Sequence, residues 1–177
     1  ERAIITSLEK SKDSEAKHMI EEIVKELTYE TIKEGTLSTL RVRKILSTIL
    51  HSSIEVAEAS PNFLEEILEA TLRGMRSGLM QSIDRFKKRL AFMPLEAKHI
   101  LIKDYDTIMQ DLNQTDILFS QVVHNLAEES EPITKKALLD INKRMHYDLE
   151  ELVHISKETA LVMKDRFSTL AKKAVKK

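Results

Sequence analysis

The spacing Glu-x-x-His occurs three times: Glu15 with His18, Glu96 with His99, and Glu151 with His154. Three residues apart on a helix, a carboxylate and an imidazole face one side and can share a metal ion, as in di-iron helical bundles. Glu66, Glu69, Asp104 and Asp111 would supply further carboxylates to such a centre. The chemistry would be that of an oxidase or a ferritin-like protein.

Placement argues against that reading. Metal ligands in a bundle share the apolar face, yet at about 100° per residue His18 falls roughly 160° from Ile20 and His99 roughly 160° from Leu101. His154 lies almost opposite the stripe through Ile141 and Leu152. All three imidazoles are expected in water, and the Glu-x-x-His pairs read as solvated helix faces. His146, Glu150 and His154 share one face at four-residue steps, which describes an exposed helix pair better than a metal site. His51, in Ile49-Leu50-His51-Ser52-Ser53, lacks the surroundings of a phosphotransfer histidine. No glycine-rich phosphate loop and no nucleophile elbow is present. The sequence therefore assigns no catalytic, cofactor-binding or metal-ligating residue.

Composition points to long amphipathic helices. The chain has 177 residues, with 32% charged, 42% hydrophobic and 5% aromatic side chains, and only 3 Gly and 3 Pro to make turns. That nearly excludes a β-rich fold. Cys is absent, which excludes disulfides and thiol chemistry and makes a structural zinc site a poor fit. A formal net charge of −1 supplies no global field for nucleic acid. No run reaches the roughly 18 apolar residues of a membrane span. Basic clusters at Arg41, Arg43, Lys44, at Arg85, Lys87, Lys88, Arg89, and at Lys172, Lys173, Lys176, Lys177 are local. The last complements the negative end of a helix dipole. A cytoplasmic location is expected.

The element that should organise the fold runs from Ser60 to Phe92. Ser60 is a candidate cap and Pro61 suits a first turn. Leu64, Leu68, Leu72, Met75, Leu79, Ile83, Phe86 and Leu90 recur at steps of three or four and form one apolar stripe. Ala70, Gly74, Gly78 and Ser82 climb its flank at steps of four. Each glycine costs a helix roughly 1 kcal/mol relative to alanine. Close approach of a neighbouring helix backbone is the expected compensation. The competing reading ends the helix at one of these glycines.

Around this element the sequence predicts a helix over 1–34, with Ile5, Leu8, Ala16, Met19, Ile20, Ile23, Val24 and Leu27 inward, Ser14 as a candidate fresh start, and Gly35 as C-terminal cap. A second covers 36–59, with Leu37, Leu40, Ile45, Ile49 and Val56 inward. Met93-Pro94 makes the next break. A fourth helix over 95–129 carries Ala97, Leu101, Tyr105, Ile108, Leu112, Phe119, Val122 and Leu126. A fifth, from Glu131 almost to Lys177, carries Leu138, Ile141, Met145, Leu149, Leu152, Met163, Phe167, Leu170 and Ala174, with Ser156 and Thr159 interrupting the stripe. Met75, Met145 and Met163 read as core fillers.

The predicted fold is all-α: an elongated antiparallel bundle of four to five long amphipathic helices, one domain over 1–177. Short matches at a constant offset hint at a weak repeat, 1–81 and 82–177, through Glu15-Ala16-Lys17-His18 with Glu96-Ala97-Lys98-His99 and Asp84-Arg85-Phe86 with Asp165-Arg166-Phe167. The expected function is non-enzymatic: a helical interaction or structural module that buries leftover apolar stripe, chiefly on the last helix, against a protein partner or a second copy. In general character (helical, cysteine-free, amphipathic) the chain also resembles phasins. That resemblance implies a coat on a lipid or polymer surface and rests on no shared motif. A carboxylate–histidine metal-binding bundle is the remaining alternative.

Overall fold

The computed structural model describes residues 2–35, 37–92, 114–145, 153–162, 164–165 and 168, with side chains from Glu15 onward except at 90–92 and 116. Glu96, His99, Asp104, Asp111, His146, Glu150 and Glu151 lie outside them. The described residues form helices without a strand, an all-α bundle in which short connections join the first three helices and the pair over 115–144. We label the helices α1 (Arg2–Lys33), α2 (Thr39–Ala59), α3 (Leu64–Phe92), α4 (Thr115–Glu128) and α5 (Pro132–Arg144); residues 153–162 form a further helical stretch, α6.

Local chemistry sets most boundaries. Helix α1 runs unbroken through the polar stretch Lys10 to Ser14, so Ser14 starts nothing new. Its end differs from the expected glycine cap, since no described glycine has positive φ. Instead Arg41, one turn into α2, donates from Nη1 to the Ile32 carbonyl at 2.8 Å and from Nη2 to the Thr31 carbonyl at 2.5 Å. This guanidinium satisfies carbonyls that the helix end leaves unpaired. Gly35 leaves room for it, because a β-carbon there would stand 2.6 Å from Arg41 Cζ. Ser38 caps α2, its hydroxyl accepting from the Arg41 N–H at 3.3 Å. Ser60 makes no side-chain cap; Pro61 to Phe63 form a single 3₁₀ turn that leads into α3. Pro132 occupies the first turn of α5, as its fixed φ favours.

Helix α3 is the centre of the bundle. Leu64, Leu68, Leu72, Met75, Leu79 and Ile83 are all buried, and Phe86 packs against the same cluster. The helix touches α1, α2 and α5. Neither Gly74 nor Gly78 ends it. Both are covered by α1: a β-carbon at Gly74 would stand 2.5 Å from the Glu21 carbonyl oxygen, and one at Gly78 would stand 2.6 Å from that of Lys25. The row of small residues is thus a seat for a helix backbone.

Two short connections reverse the chain twice, so α1 and α3 run parallel. Lys17 meets Glu69 at 3.0 Å, Val24 lies over Gly74, Thr28 over Gly78, and Tyr29 beside Gln81 and Arg85. On the other side α4 packs against α2, where Arg43 donates to Gln121 at 2.8 Å, and α5 packs against α3 and α4. Thr134 donates to Glu58 at 3.0 Å, which pins the start of α5 to the end of α2. Lys87 and Glu158, 2.9 Å apart, tie α6 to the last turns of α3. Phe119, Val122, Leu126, Leu138, Ile141 and Met145 fill the core as their periodicity predicts. Ser156 and Thr159 are buried too, so the chain still lies against its neighbours where the stripe turns polar. Thr159 donates back to the Ile155 carbonyl at 2.8 Å, whereas Ser156 Oγ has no hydrogen-bond partner among the described residues.

The apolar face of α1 is not where hydrophobicity alone places it. Met19, Ile23 and Leu27 are expected inward but remain 62%, 59% and 51% exposed, and Ala16 is exposed as well. The buried row is Val24, Thr28 and Ile32, with Ile20 partly covered. The reason is steric. The seat on α3 brings the two backbones close, and where α1 meets it, over Gly74 and Gly78, α1 carries the short β-branched side chains of Val24 and Thr28. Leu40 and Val56 are likewise outside, because α2 buries Val42, Leu46, Ile49, Leu50, Ile54 and Ala57 instead.

Candidate functional site

Position on the helices decides what the histidines can do. Glu15 and His18 both face solvent on α1. His154 is exposed on α6, its Nε2 2.9 Å from Glu158 on the next turn. His51 is exposed on α2, 3.7 Å from Glu55. Their partners Glu96, His99 and Glu151, like His146 and Glu150, fall outside the described residues. Glu66 is exposed, while Glu69 is engaged with Lys17 and Arg73. Among the described residues no three histidine or carboxylate side chains converge on a common point.

The charged groups that do converge act as ties between helices. Glu69 accepts from Lys17 at 3.0 Å and pairs with Arg73 at 3.1 Å, with Arg144 of α5 adding its charge. Burial alone would raise this carboxyl. The Lys17 hydrogen bond and the charges of Lys17, Arg73 and Arg144 together outweigh it and hold the group below its ordinary range. At the other end, the hydrogen bond from Lys87 pulls Glu158 down, and the same bond raises Lys87, with Asp84 helping at 3.7 Å.

The bundle also leaves an apolar row in solvent. Met19, Ile23 and Leu27 follow one another at steps of four along α1 and form a stripe open to solvent. Glu15, Glu22, Glu26 and Glu30, all exposed, border it on one side. At about 100° per residue these four fall within roughly a quarter turn of Ile23. Helix α1 packs chiefly on α3, with α2 second, so the described residues leave its outer half uncovered. Single exposed apolar side chains are ordinary; three in a row make a continuous apolar stripe. Sequence reading placed these residues in the core. The short side chains of Val24 and Thr28, four apart like Gly74 and Gly78, are the signal that would have placed them outside.

Among the described residues no helix is long and apolar enough to cross a membrane. No curated protein and no solved structure matches the chain. Residues 1–172 match the model of a family of unknown function (DUF6781), and the chain belongs to that family.

Proposed function

We propose that the protein is a non-enzymatic helical interaction module whose docking face is the uncovered stripe of α1. The observation that carries this reading is the run Met19, Ile23, Leu27, left in solvent by a helix whose other face is seated on α3. Docking would remove these side chains from water, at about 25 cal/mol per Å² of apolar surface. The glutamate border selects the partner: an amphipathic helix edged with lysine or arginine. This chain carries such a segment, in which Lys172, Lys173, Lys176 and Lys177 accompany Leu170 and Ala174. Self-association is therefore the first case, and a cytoplasmic setting suits it.

Light scattering across a range of protein concentrations tests the reading. A mass above the 20.4 kDa of one chain should fall to that value when Met19, Ile23 and Leu27 are all replaced by Ser, with the melting temperature kept. A wild type that stays monomeric throughout would remove the self-association reading. The surface-coating alternative draws on a different observation: Leu40, Val56, Ile117, Ile133 and Leu161 are exposed on other elements. Binding to apolar particles that the α1 triple variant does not weaken would favour that alternative.

A further inference from the structure

A groove of about 490 Å³ opens beside the seat of α1 on α3, lined by Tyr29, Gln81, Asp84, Arg85, Lys88 and Arg89. Its origin is local. Past Gly78 and Ser82 the small row ends, and the large side chains of Gln81 and Arg85 face Tyr29 across the helix pair. The acids at this place are already engaged. Asp84 holds Lys88 at 3.0 Å and Lys87 at 3.7 Å, and Glu158 holds Lys87 at 2.9 Å.

Arg85 and Arg89 have no such partner among the described residues, and Arg85 is half-buried. The two stand one helical turn apart, a spacing at which like charges repel. They are not needed at the end of α1, whose carbonyls Arg41 already satisfies. Lys33, 5.6 Å from the centre of the Tyr29 ring, is already paired with Glu30 at 3.1 Å, so Arg85 and Arg89 carry the charge of the groove.

We propose that this groove binds a phosphate-bearing small molecule or headgroup, its phosphoryl oxygens held between the Arg85 and Arg89 guanidiniums. Each guanidinium offers a planar fork of N–H donors that matches two phosphate oxygens, and two forks balance the charge of a phosphate dianion. The Gln81 amide and the Tyr29 hydroxyl are the neutral polar groups left for the rest of the ligand. The groove is larger than one phosphate, so the ligand carries more than inorganic phosphate does.

Two arms separate a soluble ligand from a lipid. Calorimetric titration with sodium pyrophosphate, at ionic strength matched by sodium chloride, tests the first. Flotation with phosphatidylcholine vesicles, with and without phosphatidic acid, tests the second. Saturable binding in at least one arm is expected, weakened about tenfold or more in the Arg85→Gln/Arg89→Gln variant. Lys44→Gln, on an exposed lysine of α2, should leave it unchanged. If the glutamine pair does not fold, Arg85→Lys/Arg89→Lys carries the test, since it keeps the charge and removes the forks. Absence of saturation in both arms would overturn the proposal. So would undiminished binding by the lysine pair, or an equal loss in Lys44→Gln.

Discussion

Replacing Gly74 or Gly78 with alanine sets two effects of opposite sign against each other, and the structure says which wins. In an uncovered helix, Gly→Ala is stabilising by about 1 kcal/mol. Here the added β-carbon would meet the Glu21 carbonyl oxygen at 2.5 Å and Val24 Cβ at 2.8 Å from Gly74, and the Lys25 carbonyl oxygen at 2.6 Å and Thr28 Cβ at 2.7 Å from Gly78. The nearest obstacle at each site is backbone, which no rotamer change moves. Helix α1 must therefore lift from its seat by roughly 1 Å, with an overpacking penalty of about 2–3 kcal/mol. The net expectation is a loss of about 1–2 kcal/mol for each single variant, a fall in Tm of roughly 2–8 °C for a domain of this size. The double variant is more informative. One lift of α1 relieves both contacts, so the combined loss should be smaller than the sum of the singles. Denaturant unfolding followed by far-UV circular dichroism measures all three. If both single variants are stabilised by about 1 kcal/mol, α1 does not rest on α3 as described.

Further expectations concern the core, the ion pairs and pH. Leu72→Ala, in the fully buried stripe of α3, should destabilise by about 2–5 kcal/mol, whereas Ile23→Ala on the outer face of α1 should change stability by less than about 0.5 kcal/mol; thermal melts compare the two. Ser156→Ala removes a buried hydroxyl without a partner and should be neutral or stabilising by up to about 1 kcal/mol, read by the same melts. The lowered Glu69 carboxyl contributes stability above its unfolded pKa, and that contribution disappears as pH falls through the folded value. Wild type should therefore lose more stability on acidification than Glu69→Gln, which pH-dependent unfolding curves detect.

The centre of the fold was legible because α3 has neighbours on several sides. Leu68, Leu72, Met75 and Leu79 satisfy every neighbour at once, so their periodicity reads directly as core. The glycines were legible for a related reason: two helix-weakening residues at the same flank need a compensating contact. Helix α1 misled because hydrophobicity per residue and ease of close approach favour different faces. Met19, Ile23 and Leu27 are the more apolar row, but the α3 seat admits the row through Val24 and Thr28. The Thr28 hydroxyl is no obstacle, since it donates to its own helix at the Val24 carbonyl, 2.7 Å away. The cationic groove was visible as a cluster only. Asp84 reaches Lys87 and Lys88 on its own helix, but the hold of Glu158 on Lys87 depends on α6 returning to α3, a contact that links residues 71 positions apart.

Because the chain has no cysteine, single cysteines can report on α1 without background. Thiol labelling of Ile23→Cys and Val24→Cys compares adjacent positions about 100° apart around the helix, one 59% and the other 7% exposed. In dilute protein Ile23→Cys should react many times faster than Val24→Cys, whose labelling waits for local opening. Raising the protein concentration should then protect Ile23→Cys as the docking face closes. Equal rates at the two positions, or a slower Ile23→Cys in dilute protein, would contradict the seating of α1 and the docking face with it.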